Sequence, residues 1–167
     1  MMITVDGLSD EAVIRRALAS ESKCLSEIAF LSKAHWGYTT EFMECCRDEL
    51  TVSEQDIVNQ RNHHFVLLLN TQVIGFYVVE RKSIDEYELE AMFIEPNSIG
   101  CGFGKILIEH AKEFVEENGA ISLLIQSDPN AAEFYLAAGG EHVGKRESES
   151  IPGRFLPEIR IMLITDR

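Results

Sequence analysis

The sequence contains few positively charged residues. Its 167 residues include 15 lysines and arginines against 28 aspartates and glutamates, which gives a formal net charge of −13. A surface with this excess of negative charge repels phosphate backbones, and no basic stretch offsets it, so the composition argues against a nucleic-acid partner. The charge favours a cationic substrate, although a solvated surface alone also accounts for most of the acidic residues.

Long apolar segments are also absent. No apolar run approaches the roughly 20 residues that are needed to cross a bilayer. The first residues, Met1 to Asp6, have neither the basic region nor the apolar core of a secretory signal. We therefore expect no membrane partner and a cytoplasmic location. Since no linker, repeat or low-complexity block divides the chain, we expect one domain at residues 13–167, preceded by an N-terminal extension at residues 1–12.

Cysteine and histidine patterns give no support to a metal site or a disulfide framework. The four cysteines, Cys24, Cys45, Cys46 and Cys101, show none of the paired spacings of zinc ligands, and adjacent Cys45 and Cys46 suit a disulfide framework poorly. We expect reduced, mostly buried thiols. The five histidines are scattered without a metal-binding spacing, so no metal is predicted, and a catalytic cysteine–histidine pair is a disfavoured alternative.

Three glycines at alternate positions, Gly100, Gly102 and Gly104, follow an apolar strand-like run and lead into a helical pattern. Glycines at this spacing let successive backbone N–H groups converge, and the helix that follows adds its partial positive end at the same point. The turn therefore predicts an anionic, phosphate-bearing ligand. Its spacing fits neither a dinucleotide fingerprint nor a P-loop, and a tight strand-to-helix connection without a ligand is the alternative.

The remaining periodicities predict an α/β (mixed α+β) domain with a mixed sheet. A helix joins two of the predicted strands, at 86–94 and 121–126, so these strands should be parallel. Ser20 is the expected N-cap of the first helix. The predicted strands are at 13–18, 64–69, 73–80, 86–94, 121–126, 141–147 and 158–164; the predicted helices are at 21–34, 40–50, from 53 onward, 105–118 and 129–138.

Three segments resemble the GNAT superfamily of acyl-CoA-dependent N-acetyltransferases. They are the strand Leu89–Pro96, the turn Gly100–Lys105, and the helix Asn130–Tyr135 followed by Gly139. The resemblance covers about residues 13–165, and segments 32–38 and 150–154 are similar to an uncharacterised bacterial subgroup. It implies a single N-acetyltransferase domain with a central mixed, mostly antiparallel sheet of six to seven strands and helices on both faces.

The resemblance also implies that acetyl-CoA (coenzyme A) is the cofactor. In the family, the glycine turn binds the pyrophosphate, the preceding strand contacts the pantetheine arm, and the later helix approaches the cofactor and its sulfur. Carried over to this sequence, the cofactor-binding residues are Met92, Phe93, Ile94, Gly100, Cys101, Gly102, Phe103, Gly104, Lys105 and Asn130, with Tyr135 near the sulfur.

Two residues depart from the family pattern. Ile99 stands where the family usually has glutamine or arginine three residues before the glycine that is Gly102 here, so a side-chain contact near the phosphates is missing. Gly140 replaces an aromatic residue after the later helix, and we expect an empty packing position there.

Acetyl transfer from a thioester to an amine needs a neutral nitrogen, a stabilised tetrahedral oxyanion and a proton for the leaving thiolate. Tyr135 is the candidate proton donor, and a buried tyrosine bonded to a carbonyl is the alternative. Glu90 is the candidate base acting through water, and an exposed strand carboxylate is the alternative. Strand alternation places Glu90 with Glu88 and Met92, on the face opposite Leu89 and Ala91.

The acceptor side is less defined. The family places its acceptor site along the first two helices and the last hairpin loop, which makes Trp36, Tyr38 and Arg154 the substrate candidates; aromatic packing and a loop-closing ion pair are the alternatives. Cys101 is not expected to be a nucleophile, because the family usually attacks directly without an acyl-enzyme.

These residues predict transfer of an acetyl group from acetyl-CoA to a primary amine of an unidentified small-molecule or peptide acceptor, by direct attack through a tetrahedral intermediate. The alternative is a non-catalytic acyl-CoA-binding sensor or regulatory module. A phosphate-hydrolysing nucleotide-binding domain is disfavoured, because the sequence has no Walker pattern. The resemblance leaves a homodimer open.

Overall fold

The computed structural model describes residues 2–5 and 8–163. Its strands are β1 (Met2–Val5), β2 (Leu8–Arg16), β3 (Asn62–Leu69), β4 (Gln72–Arg81), β5 (Glu86–Ile94), β6 (Ser122–Gln126), β7 (Gly140–Glu147) and β8 (Phe155–Met162). Its helices are α1 (Ser22–Ala34), α2 (Thr40–Leu50), α3 (Glu54–Val58), α4 (Phe103–Glu117) and α5 (Ala132–Ala137), with 3₁₀ turns at Ala19–Glu21, Pro96–Ser98 and Pro129–Ala131.

The strands form one sheet with the order β1-β2-β3-β4-β5-β6-β8-β7. Among the described strands, β5 and β6 form the only parallel pair, and every other pair of neighbours is antiparallel. Strands β2 to β8 make up the seven-stranded central sheet, while β1 pairs with the first part of β2. The mixed, mostly antiparallel sheet confirms the predicted fold class.

Each face of the sheet has its own apolar core. Helices α4 and α5 pack on one face through residues that include Leu107, Ala111 and Tyr135. Helices α1 and α2 pack on the other face through residues that include Leu25 and Met43. Helices on both faces were predicted, and the two cores confirm them.

Capping explains why two helices begin where the sequence predicts. The Thr39 side chain accepts a hydrogen bond from the Phe42 N–H at 3.1 Å, and Ser53 forms a capping box with Asp56. The predicted Ser20 N-cap is wrong. Ser20 lies inside the 3₁₀ turn that precedes α1, and the Glu21 carboxylate accepts from the Leu18 N–H at 2.7 Å instead.

The first and the last of the predicted strands begin earlier than predicted. Strand β2 begins at Leu8 and follows β1, so part of the predicted N-terminal extension is paired strand. Strand β8 begins at Phe155, before the predicted start at residue 158, and therefore includes Pro157. Pro157 lies opposite Lys145, and its missing N–H removes a single ladder bond, which the strand tolerates near its start.

A β-bulge interrupts β5 at Glu90. Val78 of β4 lies opposite Ala91 and Val79 opposite Leu89, so Glu90 has no partner residue on β4. The bulge shifts the alternation by one residue. Met92 therefore packs on the same core as Leu89, and Ala91 packs on the opposite core. The predicted grouping of Glu90 with Met92, opposite Ala91, is wrong for this reason.

Gly140 occupies a tightly packed position, so the expected empty space is also wrong. A Cβ atom at Gly140 would lie 2.8 Å from the Tyr135 carbonyl oxygen and still closer to Cγ2 of Ile159. The Ile159 side chain of β8 fills the volume that an aromatic residue would need.

All four cysteines lie within the described residues, and of these only Cys46 is buried, so the expectation of mostly buried thiols is wrong. Within residues 2–5 and 8–163, no cluster of three or more histidine, cysteine or acidic side chains is arranged to hold a metal ion. The helices in this part of the chain are too short or too polar to span a bilayer.

Candidate active site

A cavity of about 770 Å³ follows the bulged half of β5 and ends at the beginning of α4. This volume lies within the range of small-molecule sites. Of the predicted site residues, the wall includes Trp36, Glu90, Met92, Phe93, Ile94, Gly100, Gly102, Gly104, Lys105, Asn130 and Tyr135. The structure therefore brings most of the candidate site together.

The glycine turn forms one end of this cavity. Gly100 and Gly102 have φ angles of 84° and 88°, in the left-handed region that favours glycine, and a Cβ atom at either would meet nothing within 4 Å. Gly102 is the N-cap of the 15-residue helix α4, and no described side chain caps this helix. The first N–H groups of α4 therefore remain available for an anion, which the helix dipole also favours.

Not every residue of this turn presents its side chain to the cavity. Phe103 is buried in the core beneath α4 and Cys101 is exposed, and neither contributes to the cavity wall. Ile99 lines the cavity and also packs against the core, so it provides apolar contact where the family usually has a polar side chain.

Strands β5 and β6 separate beside the bulge. Their parallel pairing extends from Glu86 to Leu89 of β5 and stops there, so within the described residues Met92 to Ile94 have no partner on the β6 side. Unpaired N–H and C=O groups at a strand edge bind extended chains through ladder-like hydrogen bonds. This open edge faces the cavity and suits a linear ligand that contains amides.

Tyr135 lies where the cavity meets the core. Its side chain is buried, and among the described residues its hydroxyl makes no hydrogen bond. Burial raises the pKa of Tyr135 and the charge of Asp128 adds to this shift, so the hydroxyl stays protonated at neutral pH. A buried, protonated hydroxyl without a partner is free to donate to a ligand.

Two predicted substrate residues are held away from the cavity in a network around Asp128. The Tyr38 hydroxyl donates to Asp128 at 2.8 Å and accepts from the Arg154 guanidinium at 2.9 Å and from the Asn130 amide at 3.0 Å. Lys33 pairs with Asp128 at 3.3 Å. Neither Tyr38 nor Arg154 lines the cavity, so their contacts match the packing and ion-pair alternatives.

The Asp128 network affects the pKa of its members. Burial acts to raise the pKa of Asp128, but the Asn130 N–H, the Tyr38 hydroxyl and Lys33 outweigh it and lower that pKa. Burial and the Asp128 charge raise the pKa of Tyr38. The network therefore keeps Asp128 as a carboxylate, and Asp128, Lys33 and Asn130 all line the cavity.

Glu90 belongs to a charged cluster that the sequence did not reveal. The Lys82 ammonium lies 3.0 Å from Glu90, 3.1 Å from Glu80 and 3.7 Å from Glu88. Arg146 also pairs with Glu88. Partial desolvation beside the cavity raises the pKa of Glu90, although its side chain is 36% exposed. The Glu88 charge and a hydrogen bond with Glu80 add to this shift, whereas Lys82 opposes it. A carboxylate with a raised pKa beside a cavity suits proton transfer.

His64 is a second residue of the cavity wall that the sequence analysis did not select. It is 5% exposed, and its Nδ1 has no hydrogen-bond partner among the described residues. Burial lowers its pKa, although a backbone hydrogen bond with Asn62 and the charge of Asp56 oppose the shift. The strand register explains its position, because His64 lies opposite Val78, which pairs with Ala91 in the bulged segment of β5.

Comparison with known proteins shows the family to which this chain belongs. The model of the acetyltransferase (GNAT) family matches residues 28–139, which include the bulge, the glycine turn and Tyr135. This chain belongs to the GNAT family. The predicted family resemblance is thereby confirmed.

The individual proteins that resemble this GNAT chain share little sequence identity with it. The peptidyl-lysine N-acetyltransferase YjaB of Escherichia coli is 29% identical over 80 residues, which is 48% of this chain and about half the length of that relative. The PaiA N-acetyltransferase of Thermoplasma acidophilum, solved in complex with coenzyme A, has a TM-score of 0.72 at 15% identity, covering 91% of this chain and 99% of that one. The ribosomal-protein-S18-alanine N-acetyltransferase of Escherichia coli has a TM-score of 0.69 at 16% identity, covering 94% and 97%. Identities this low establish the shared fold alone.

Proposed function

We propose that this GNAT chain is an N-acetyltransferase that transfers the acetyl group of acetyl-CoA to a primary amine by direct attack through a tetrahedral intermediate. One observation carries the proposal: a single cavity joins the uncapped beginning of α4, the open edge of β5 and the unpartnered Tyr135 hydroxyl. These features match the three parts of the donor, which are a diphosphate, an amide-containing arm and a thioester.

The residues at the α4 end fit coenzyme A. Backbone N–H groups from Gly100 to Lys105 would hold the diphosphate, because no described side chain caps the helix and Gly100 and Gly102 leave open space beside them. Backbone groups of Met92, Phe93 and Ile94 would bind the pantetheine arm at the edge that β6 leaves unpaired. Asn130 would contact the cofactor from the opposite wall. When bound, acetyl-CoA supplies an activated acetyl group.

Two side chains would handle the protons. Tyr135 would donate its hydroxyl proton to the departing sulfur, since burial keeps the hydroxyl protonated and no described group occupies it. Glu90 would take a proton from the acceptor amine through water, and the bulge places it beside the open edge of β5. An alkylammonium with a pKa of about 10 must lose a proton before it attacks, and Glu90 would accept that proton.

The acceptor would enter from the α1 side of the cavity. Trp36 lines this wall and is 46% exposed, so it offers an apolar surface to the acceptor. Tyr38 and Arg154 would act indirectly, by holding Asn130 and the last hairpin loop in place. The YjaB relative is named a peptidyl-lysine N-acetyltransferase, which supports a primary amine as the acceptor group. A cytoplasmic location and an N-acetyltransferase domain at residues 13–167 belong to the same proposal.

Thiol release from acetyl-CoA tests the proposed activity. The protein is mixed with acetyl-CoA and a panel of primary amines, and free thiol is measured against a sample without amine. Amine-dependent thiol release is the expected result. Binding of acetyl-CoA without turnover on any amine would favour the sensor alternative, and absence of binding would contradict both readings.

A further inference from the structure

The end of the cavity farthest from α4 is lined by charged and polar side chains. We call it the distal end and define it by Asn62, His64, Glu80, Lys82, Glu88 and Glu90, all of which line the cavity. It lies where β3 begins and β4 ends, whereas α4 follows the opposite end of β5. The strand register explains the grouping: His64 lies opposite Val78, and Asn62 lies opposite Glu80, on the face that packs against α1 and α2.

Negative charge exceeds positive charge at the distal end. The carboxylates of Asp56, Glu80, Glu88 and Glu90 line this part of the cavity together with Lys82 and Arg146, and the charge of Arg61 also acts on Glu80. Four carboxylates therefore face three cations, and one negative charge remains in excess. This excess attracts a cation that enters from solution.

His64 gives an independent indication of a ligand. A buried ring nitrogen without a partner is costly, and Nδ1 of His64 has none among the described residues. Since burial lowers the pKa of His64, the ring is neutral at pH 7. In the tautomer with its proton on Nε2, Nδ1 accepts a hydrogen bond from an ammonium group. A bound ammonium thus supplies the missing partner.

We propose that the distal end binds a second, non-reacting ammonium group of the acceptor, so that the preferred substrate is an aliphatic diamine or polyamine. This proposal rests on the proposed function. The first amine reacts beside Glu90 and Tyr135, and the second lies between Glu80 and His64. Glu90 on β5 and His64 on β3 are separated by two strand spacings, about 10 Å, which sets the length of the acceptor.

Lys82 shows that the distal end accommodates a primary ammonium. Its Nζ lies within 3.1 Å of both Glu80 and Glu90, and its side chain is 41% exposed, so it can move into solvent. The acceptor ammonium competes with Lys82 for these carboxylates. Removal of the Lys82 charge should therefore strengthen diamine binding, whereas removal of a carboxylate should weaken it.

A matched pair of acceptors tests the subsite. 1,7-Diaminoheptane and heptylamine share one chain and differ by one amino group, and the diamine reaches across about two strand spacings. Affinity is measured by calorimetry on the protein saturated with coenzyme A, and kcat/KM by thiol release. The wild type should prefer the diamine by roughly fivefold or more in both measurements. Equal affinities for the two amines would overturn the subsite, whether or not either is acetylated.

Single substitutions test which residues form the proposed subsite. Glu80→Gln and His64→Gln should each reduce the preference for the diamine, and Lys82→Met should increase the preference. Glu116→Gln is the control, because it removes one exposed acidic charge on α4 away from the cavity. A loss of kcat with both amines in His64→Gln would overturn its binding role and make it part of the proton-transfer machinery. An unchanged preference in Glu80→Gln would also contradict the proposal. Failure of acetyl-CoA to bind would instead refute the proposed function.

Discussion

At the scale of single residues, Tyr135 is the group on which the proposed chemistry depends most. Tyr135→Phe removes one hydroxyl and keeps the ring in its core position. Because the hydroxyl would protonate the leaving sulfur, we expect kcat to fall by about 10² or more, with acetyl-CoA affinity within about twofold of wild type. Steady-state kinetics and a calorimetric titration measure the two effects. An unchanged kcat would remove Tyr135 from the mechanism.

Asp128 should make a pH-dependent contribution to stability. Its pKa is lowered in the folded protein, so the stabilisation is complete above the unfolded value of 3.8 and is lost as the pH falls through the lower, folded value. Asp128→Asn weakens the contacts with Lys33 and Tyr38 and should reduce the free energy of unfolding at pH 7 by about 1–3 kcal/mol.

Urea unfolding at several pH values measures this effect. The difference between Asp128→Asn and wild type should shrink as the pH falls below 3.8. Asp48→Asn, on the exposed side of α2, is the matched control and should change stability little at any pH. A difference that stayed constant through acid pH would contradict the carboxylate's role.

The contacts that the sequence did not predict join residues that are far apart in the chain. Tyr38 and Asp128 are 90 positions apart in the chain, and Lys82 meets Glu90 only because β4 and β5 form a hairpin. The family motifs led to Tyr135 and the three glycines, which line the cavity, because each motif is a short continuous stretch of the chain. They had no means of showing that Arg154 binds Tyr38, or that His64 lies on the cavity wall.

At the scale of elements, the beginning of α4 is the feature that distinguishes this site. Gly102→Ala forces an alanine into the left-handed region at the N-cap, and Gly119→Ala does the same just after the other end of the helix, with the same φ of 88° and equally open space. Each should lose about 1–2 kcal/mol of stability. Only Gly102→Ala should also weaken acetyl-CoA binding, since its Cβ lies beside the proposed diphosphate.

Thermal unfolding and calorimetry separate these two effects. The Gly119→Ala variant controls for backbone strain, because Gly119 does not line the cavity. Equal loss of cofactor affinity in both variants would show that strain in α4, and not contact at its beginning, determines binding.

The junction between α5 and β7 should tolerate no side chain at Gly140. An added Cβ would collide with the Tyr135 carbonyl oxygen and with Ile159 of β8. We expect Gly140→Ala to cost about 1–3 kcal/mol, which lowers Tm by roughly 2–12 °C. Gly144→Ala is the control on the same strand, because its Cβ would lie at an ordinary 3.7 Å from Glu158. Similar Tm values for the two variants would contradict the close packing.

Short-range sequence signals were sufficient to predict the bounds of elements whose ends are marked by caps or turns. Helix α2 and strand β5 have the bounds that the sequence predicted, since Thr39 caps the first and the glycine turn follows the second. The bulge at Glu90 and the separation of β5 from β6 depend on pairing with other strands, so they carry no signal within β5 itself. These two irregularities open the cavity, which is why the sequence predicted the fold more completely than the site.

At the scale of the whole molecule, the cavity joins two ends of opposite character. Backbone N–H groups and Lys105 at the α4 end suit an anionic donor, and excess carboxylates at the distal end suit a cationic acceptor. The net charge of −13 works against the donor and with the acceptor. Local N–H groups therefore have to supply the affinity for the diphosphate in an unfavourable overall field.

An amide-resolved NMR titration of the wild-type protein with coenzyme A tests this account most directly. The largest shift changes should occur at the backbone amides from Ile99 to Lys105, followed by those of Met92 to Ile94. Saturating coenzyme A that left the amides of the glycine turn unchanged would contradict the central claim that the beginning of α4 binds the donor.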